Sequence, residues 1–368
     1  MLSVLFYIAL FLIVFIIQYF AERQKNRTLK KVLILGGFAL LLLMIGLRYR
    51  VGTDYVGHIN LYNGYLNRSL GEIWSGDGDI GTKLIIGTLA DTHSDPKLMF
   101  WIYGFLTLLP IYIINRNHKF KNLAFSTLIF NLTIMPASLN IIRQGAAMSF
   151  ALLAFDYLRN NSKILKILLC MGIAVILHTS ALLLAPFLLA YYYSKKKKKN
   201  YAFFVVLLTT IISIAFSTFL RGVFEDIGFN DYLYQLKFNG AINVSLGVAI
   251  YNVVLYSYIA ILAIVGHKDH DKEEKANTDV KDNLFMVISG TVFELVGTMT
   301  KYLSRVSYYF SIFQIMLIPD LLDRIKNTTT RRFMKIACIV VFLFLFIYRC
   351  YIQGYYEIIP YRSWLFLG

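Results

Sequence analysis

The chain has 368 residues, of which 58% are hydrophobic, 16% aromatic and only 16% charged. Soluble domains carry about 25% charged residues, so a mean hydropathy of +0.60 at this charge content argues against a water-soluble enzyme. The apolar and aromatic mass likewise excludes a disordered chain, and the long apolar runs predict an all-α polytopic membrane protein.

In chain order, the first run, 2–20, lacks a basic leader and a small-x-small cleavage site, so it reads as a retained span. Further spans are expected at 32–47, 98–115, 122–138, 140–158, 202–220, 247–265, 284–300, 303–322 and 333–350. Between 32–47 and 98–115 lies an outer segment, 51–96, whose Gly-, Asp- and Ser-rich turns predict surface-lying or re-entrant helices. The stretch 163–193 is too long for one helix and is bounded on both sides by basic clusters: Arg159, Lys163 and Lys166 before it, Lys195 to Lys199 after it. The positive-inside rule puts both clusters in the cytoplasm, so the segment must cross and return. Two arms of about 15 residues reach only about 23 Å each, short of a hydrocarbon core of about 30 Å. A short or re-entrant helix pair is expected, turning near His178 to Pro186, and broken helices at depth are tolerated where they line a cavity. This alternation predicts about 12 membrane segments with both termini outside, in one transmembrane domain over 1–368. The mixed-charge stretch 266–282 is expected to be a solvated cytoplasmic loop. Cys170, Cys338 and Cys350 lie in or beside apolar runs and read as packing residues.

The inside loops 21–31, 116–121, 159–166, 195–199, 266–281 and 323–335 hold 25 of the 37 Lys and Arg residues, with lysine leading arginine 18 to 7. The net charge of +16 is therefore mostly a topology signal and implies no nucleic-acid partner. Outside, arginine leads lysine 8 to 4. Lysine suffices to anchor at anionic headgroups, whereas arginine forms bidentate forks on phosphate, so a phosphorylated ligand is expected on the outer side.

Four outer clusters stand out. Arg48-Tyr49-Arg50-Val51-Gly52-Thr53-Asp54-Tyr55 follows the second span, and Asn140-Ile141-Ile142-Arg143-Gln144 fills a turn with almost no loop. His178-Thr179-Ser180 sits at the break in 163–193, and Lys301-Tyr302-Leu303-Ser304-Arg305 with Tyr308 and Tyr309 closes a later span. The tail Pro360-Tyr361-Arg362-Ser363-Trp364 lies on the same side. Interfacial anchoring by snorkelling arginine and by tyrosine is the plain alternative for the arginine clusters, and a structural hydrogen-bonding role is the alternative for His178. Glu294 is a candidate buried acid, and Asp77-Gly78-Asp79 has the form of a metal-binding pair that also occurs in ordinary glycine turns. Topology rests on the basic loops alone, yet Arg50, Asp54, Arg143, His178 and Arg305 all emerge at outer span ends, which points to one extracytoplasmic site.

Arg50-x-Gly52-x-Asp54-Tyr55, Ile142-Arg143-Gln144, His178-x-Ser180 and Arg305-x-x-x-Tyr309 running into Leu317-Ile318-Pro319 resemble, in order and spacing across about 50–350, the EpsG/Wzy-type polysaccharide polymerases of bacterial exopolysaccharide and capsule pathways. The resemblance implies a fold related to the GT-C class in the bacterial plasma membrane. It also implies a polyprenyl-diphosphate-linked oligosaccharide as substrate, and a flippase and chain-length regulator as partners. On this reading Arg50, Arg143 and Arg305 bind diphosphate, His178 or Asp54 is the catalytic base, and Gln144, Tyr55, Tyr309 and Arg362 are candidate substrate contacts. No cofactor or metal is required, because arginines supply the charge. The rival readings are a glycan ligase of the same chemistry, a transporter or flippase of lipid-linked sugars, and a membrane acyltransferase. The last leaves the outer arginines unexplained.

Overall fold

The computed structural model describes residues 2–76, 78–197, 201, 204–212, 246–267, 274–296 and 301–366. Their regular structure is helical, apart from one antiparallel bridge between Arg48 and Ser363. Among the described residues, six helices are long and apolar enough to cross a membrane: Leu2–Arg23, Arg27–Gly46, Leu98–Asn117, Leu123–Asn140, Leu246–Gly266 and Thr328–Ile352. The chain is a polytopic α-helical membrane protein.

The other expected spans take different forms, for visible reasons. Ile142–Arg159 carries Arg143, Asp156 and Arg159 in 18 residues. The stretch 163–193 divides at His178 into Ile164–Leu177, a 3-10 turn over Thr179–Leu184, and Ala185–Lys197. The span expected at 303–322 is cut into Lys301–Val306, Tyr308–Ser311 and Gln314–Asp323. The span expected at 284–300 is the second half of Glu274–Val296, up to its end at Val296, and most of 202–220 lies outside the described residues. The loop expected over 266–282 is corrected in its second half: from Glu274 onward it forms the opening turns of that helix, with Asp282 buried.

By contacts the chain forms two compact units, Met1–Leu182 with Ile339–Gly368, and Leu183–Cys338. The first contains α1 (Leu2–Arg23), α2 (Arg27–Gly46), α3 (Tyr55–Tyr65), α4 (Leu70–Ser75), the helical stretch α5 (80–91), α6 (Leu98–Asn117), α7 (Leu123–Asn140), α8 (Ile142–Arg159) and α9 (Ile164–Leu177). The segment 51–96 is thus largely helical, its second piece closed by a Ser69–Glu72 capping box. Asn26 caps α2 by accepting from the Thr28 and Leu29 amides, which allows the tight return from α1.

Lipid tails are as apolar as leucine, so helices in a membrane associate through close packing of small residues and interhelical hydrogen bonds. Both devices are present. The buried surface of α8 includes Gly145, Ala146, Ala147, Ser149, Ala151 and Ala154, and α8 packs on α6 and α9. The fully buried Gln18 amide of α1 donates to the Ile34 carbonyl of α2 at 3.2 Å. The centre of this unit is α7, 94% of which is buried, against 33% of α1. It is joined to α8 by Ile141 alone.

The second unit contains α10 (Ala185–Lys197), residues 204–212, α11 (Leu246–His267), α12 (Glu274–Val296), α13 (Lys301–Val306), α14 (Tyr308–Ser311), α15 (Gln314–Asp323) and the start of α16 (Thr328–Phe346). Here α12 packs on α13, α14 and α15. Glu294 is buried and accepts from Asn252 Nδ2 at 3.3 Å. All three cysteines are free and buried.

Candidate functional site

At one end of the first unit a group of polar side chains is arranged around the carboxylate of Asp79. Asp79 is the residue before α5. Gly81, in the first turn of that helix, lies so close to the end of α9 that a Cβ there would stand 2.7 Å from the Ile176 carbonyl oxygen and 2.8 Å from Leu177 Cα. That approach brings Asp79 to His178, where α9 stops and the backbone turns extended (φ −159, ψ 118).

Asp79 Oδ2 accepts from His178 Nδ1 at 2.9 Å and from Arg143 Nη1 at 3.0 Å. Its other oxygen, Oδ1, accepts from the Thr179 amide at 3.2 Å and the Thr179 hydroxyl at 3.0 Å. Arg143 Nη1 also donates to Thr82 Oγ1 at 2.9 Å. Lys83 ties down the preceding turn by donating to the Trp74 and Gly76 carbonyls. Burial alone would raise the Asp79 carboxyl. The hydrogen bond and charge of His178, the charge of Arg143 and the Thr179 amide outweigh it and hold the group at about 2, below its usual 3.8. The Asp79 side chain is 10% exposed, whereas His178 and Arg143 keep 24% and 30%.

The loop with Arg50 and Asp54 is fastened to the same end. The Asn140 carboxamide oxygen, three residues before Arg143, accepts from the Asp54 amide at 2.7 Å and the Thr53 hydroxyl at 2.9 Å. This requires glycine at position 52: φ is +95°, and a Cβ there would meet the Asn140 oxygen at 3.1 Å. From the other side the C-terminal tail clips the loop. The Gly52 and Thr53 amides donate to the Glu357 and Tyr356 carbonyls, the Tyr49 amide donates to Arg362, and the Trp364 amide donates to Leu47. Tyr7 and Tyr361 hydroxyls complete the clip on the Ile358 and Met44 carbonyls at 3.0 and 2.9 Å.

The expected residues fall into distinct places. Arg50 is exposed, its guanidinium 5.4 Å from the Tyr49 ring centroid, and Asp54 is half-buried. Its neighbour Arg48, counted among the outer arginines, is enclosed completely, 4.6 Å over the Phe100 ring, and its burial lowers the guanidinium to about 10. Tyr55 is buried and stacked on Phe100 at 4.6 Å, Gln144 is buried, and Arg362 is exposed on the tail. In the second unit, Arg305 is half-buried on α13 and Tyr309 is buried on α14. Asp77 lies outside the described residues.

Asp79, Asn140 and Thr82 are the members that sequence reasoning did not assign. Asp79 stood out only as half of a glycine-turn pair. Its usable signal was position, just ahead of the helical run Ile80-Gly81-Thr82.

Residues 31–363 match the family model described as the EpsG family. The chain belongs to the EpsG family. The match covers both compact units and every candidate residue from Arg50 to Arg362. No curated protein and no solved structure is significantly similar to the chain.

Proposed function

We propose that this EpsG-family protein is an exopolysaccharide polymerase of the bacterial plasma membrane that joins polyprenyl-diphosphate-linked repeat units on the outer face. The observation that carries the reading is the convergence of Arg143 and His178 on one partly exposed carboxylate, in a chain whose family membership suggests this activity. The fold is read as GT-C-like, with about 12 membrane segments once the short and broken helices are counted. A flippase supplies the units and a chain-length regulator acts on the product.

In the reaction, a hydroxyl of the incoming lipid-linked unit attacks the anomeric carbon of the growing chain. Its proton passes to His178 Nε2, the carbon–oxygen bond to the diphosphate breaks, and the electron pair leaves with the diphosphate. Arg143 meets the developing anion with a charge-assisted fork, and Arg50 is assigned to the same diphosphate; Arg305, in the second unit, is a further candidate for phosphate contact. Asp54, whose backbone amide is held by Asn140, is the second candidate base, or else orients an arginine. The charge comes from guanidinium groups without a metal, so EDTA leaves purified activity unchanged, and loss of activity on its addition refutes that part.

The test is a gel of lipid-linked glycans from a null strain complemented with wild type, Arg143→Lys or His178→Ala at equal membrane abundance. Wild type restores a ladder and both variants leave single repeat units, because lysine keeps the charge but not the planar fork. A full ladder from the variants removes both residues from the site. A wild type that gives unjoined units points to a transporter instead.

A further inference from the structure

We propose that Asp79 is the positioning residue that couples the two halves of the transfer, aiming His178 as base and holding the Arg143 charge until the diphosphate leaves; this rests on the polymerase reading above. A carboxylate oxygen only accepts, so the 2.9 Å contact to Oδ2 places the proton of neutral His178 on Nδ1 and the lone pair on Nε2. The ring's orientation is fixed from both directions, because Oδ1 of the same carboxylate takes the amide and hydroxyl of the next residue, Thr179. Asp79 touches neither reacting atom. It acts through the two groups that do.

The second half of the inference comes from the shared atom. Oδ2 receives Arg143 Nη1 at 3.0 Å as well as the imidazole. In the resting site the carboxylate neutralises the guanidinium and weakens its pull on an incoming diphosphate. When Nε2 takes the acceptor's proton, the new imidazolium draws on the Asp79 charge. Arg143 then loses part of its counter-charge as the diphosphate oxygen gains the electron pair of the broken bond. Thr82 Oγ1, a neutral acceptor at 2.9 Å, keeps the guanidinium in place during this shift. The geometry thus favours the transition state over the ground state, the condition for rate enhancement.

Two readouts move in opposite directions on this account, whereas a merely structural residue moves both the same way. Purified protein in detergent is titrated with farnesyl diphosphate as the probe, and ladder formation is measured with lipid-linked repeat units. Asp79→Asn binds the probe several-fold more tightly and forms polymer about 100-fold more slowly, with an unraised KM for the donor. Asp79→Glu, which keeps the carboxylate, recovers part of the rate. Asp79→Asn combined with Arg143→Gln binds no better than Arg143→Gln alone. Probe affinity that falls together with the rate, or tighter binding that survives in the double variant, overturns the proposal. A wild type that makes no ladder refutes the polymerase reading instead, and the probe titration then decides the Asp79–Arg143 coupling by itself.

Discussion

The first unit contains two carboxylate–histidine pairs, one at each end of its helices, and they are built for different ends. At the end where α6 and α8 finish, Asp156 Oδ1 accepts from His118 Nε2 at 2.7 Å and from Asn160 Nδ2 at 3.1 Å, while Oδ2 accepts from Asn117 Nδ2 at 2.9 Å. That carboxylate is 0% exposed, and its donors join the loop after α6 to the loop after α8. At the other end Asp79 makes a contact of similar length to His178, yet shares it with the Arg143 guanidinium; His118 and His178 are alike partly open. The comparison teaches that the residue pair alone does not mark a site. A buried carboxylate held by an imidazole and two carboxamides is a clasp, whereas one that holds a guanidinium beside its imidazole keeps chemistry in reserve.

That contrast can be broken by substitution. His178→Ala reduces polymer formation by about 100-fold or more, the usual worth of a general base, while His118→Ala leaves turnover near wild type; glycan gels at matched abundance measure both. If His118 proves as necessary as His178, the distinction between clasp and site falls. Asp156→Ala removes the shared acceptor of three donors that keep some access to water and costs about 2 kcal/mol of stability, read as a lowered melting temperature in detergent.

Acid sharpens the difference further. The Asp79 carboxyl sits at about 2 when folded against its usual 3.8, so its contribution is complete above about pH 4 and is lost as pH falls through about 2. The difference is worth about 2 kcal/mol. Asp79→Asn removes that part of the acid sensitivity, as melting curves between pH 5 and pH 2 will record. The smallest effect is expected at Gly52→Ala, where a side chain at φ +95° and 3.1 Å from the Asn140 oxygen costs about 1 kcal/mol. It loosens the Arg50–Asp54 loop and raises the donor KM more than it lowers kcat.

How much of this was legible in the sequence depends on the range of the interaction. The long apolar runs around α1, α2, α6, α7, α11 and α16 are visible because the bilayer imposes length and composition together. The break at His178 followed from the two flanking basic clusters. The gathering of Arg143 and His178 at one end was also reachable, since the positive-inside rule fixes which ends share a side. Asp79 was not: it lies 64 positions from Arg143 and 99 from His178, and only the side-chain-free approach at Gly81 brings them into contact. Arg48 and Arg50 are two positions apart and alike in type, yet one is enclosed over Phe100 and the other exposed. Nothing local distinguishes them, because the enclosure involves Phe100 and the distant tail.

The clip between that tail and the Arg50–Asp54 loop has a consequence in time. Tyr361 reaches the Met44 carbonyl across 317 positions, so the loop after α2 leaves the ribosome long before its partner is made. At roughly 10 residues per second the delay is about half a minute. Throughout it the loop emerges, is threaded to its side of the bilayer and waits without the strand that will hold it. The end of the unit that carries the clip is therefore begun by one helix and completed only by residues made about 300 positions later.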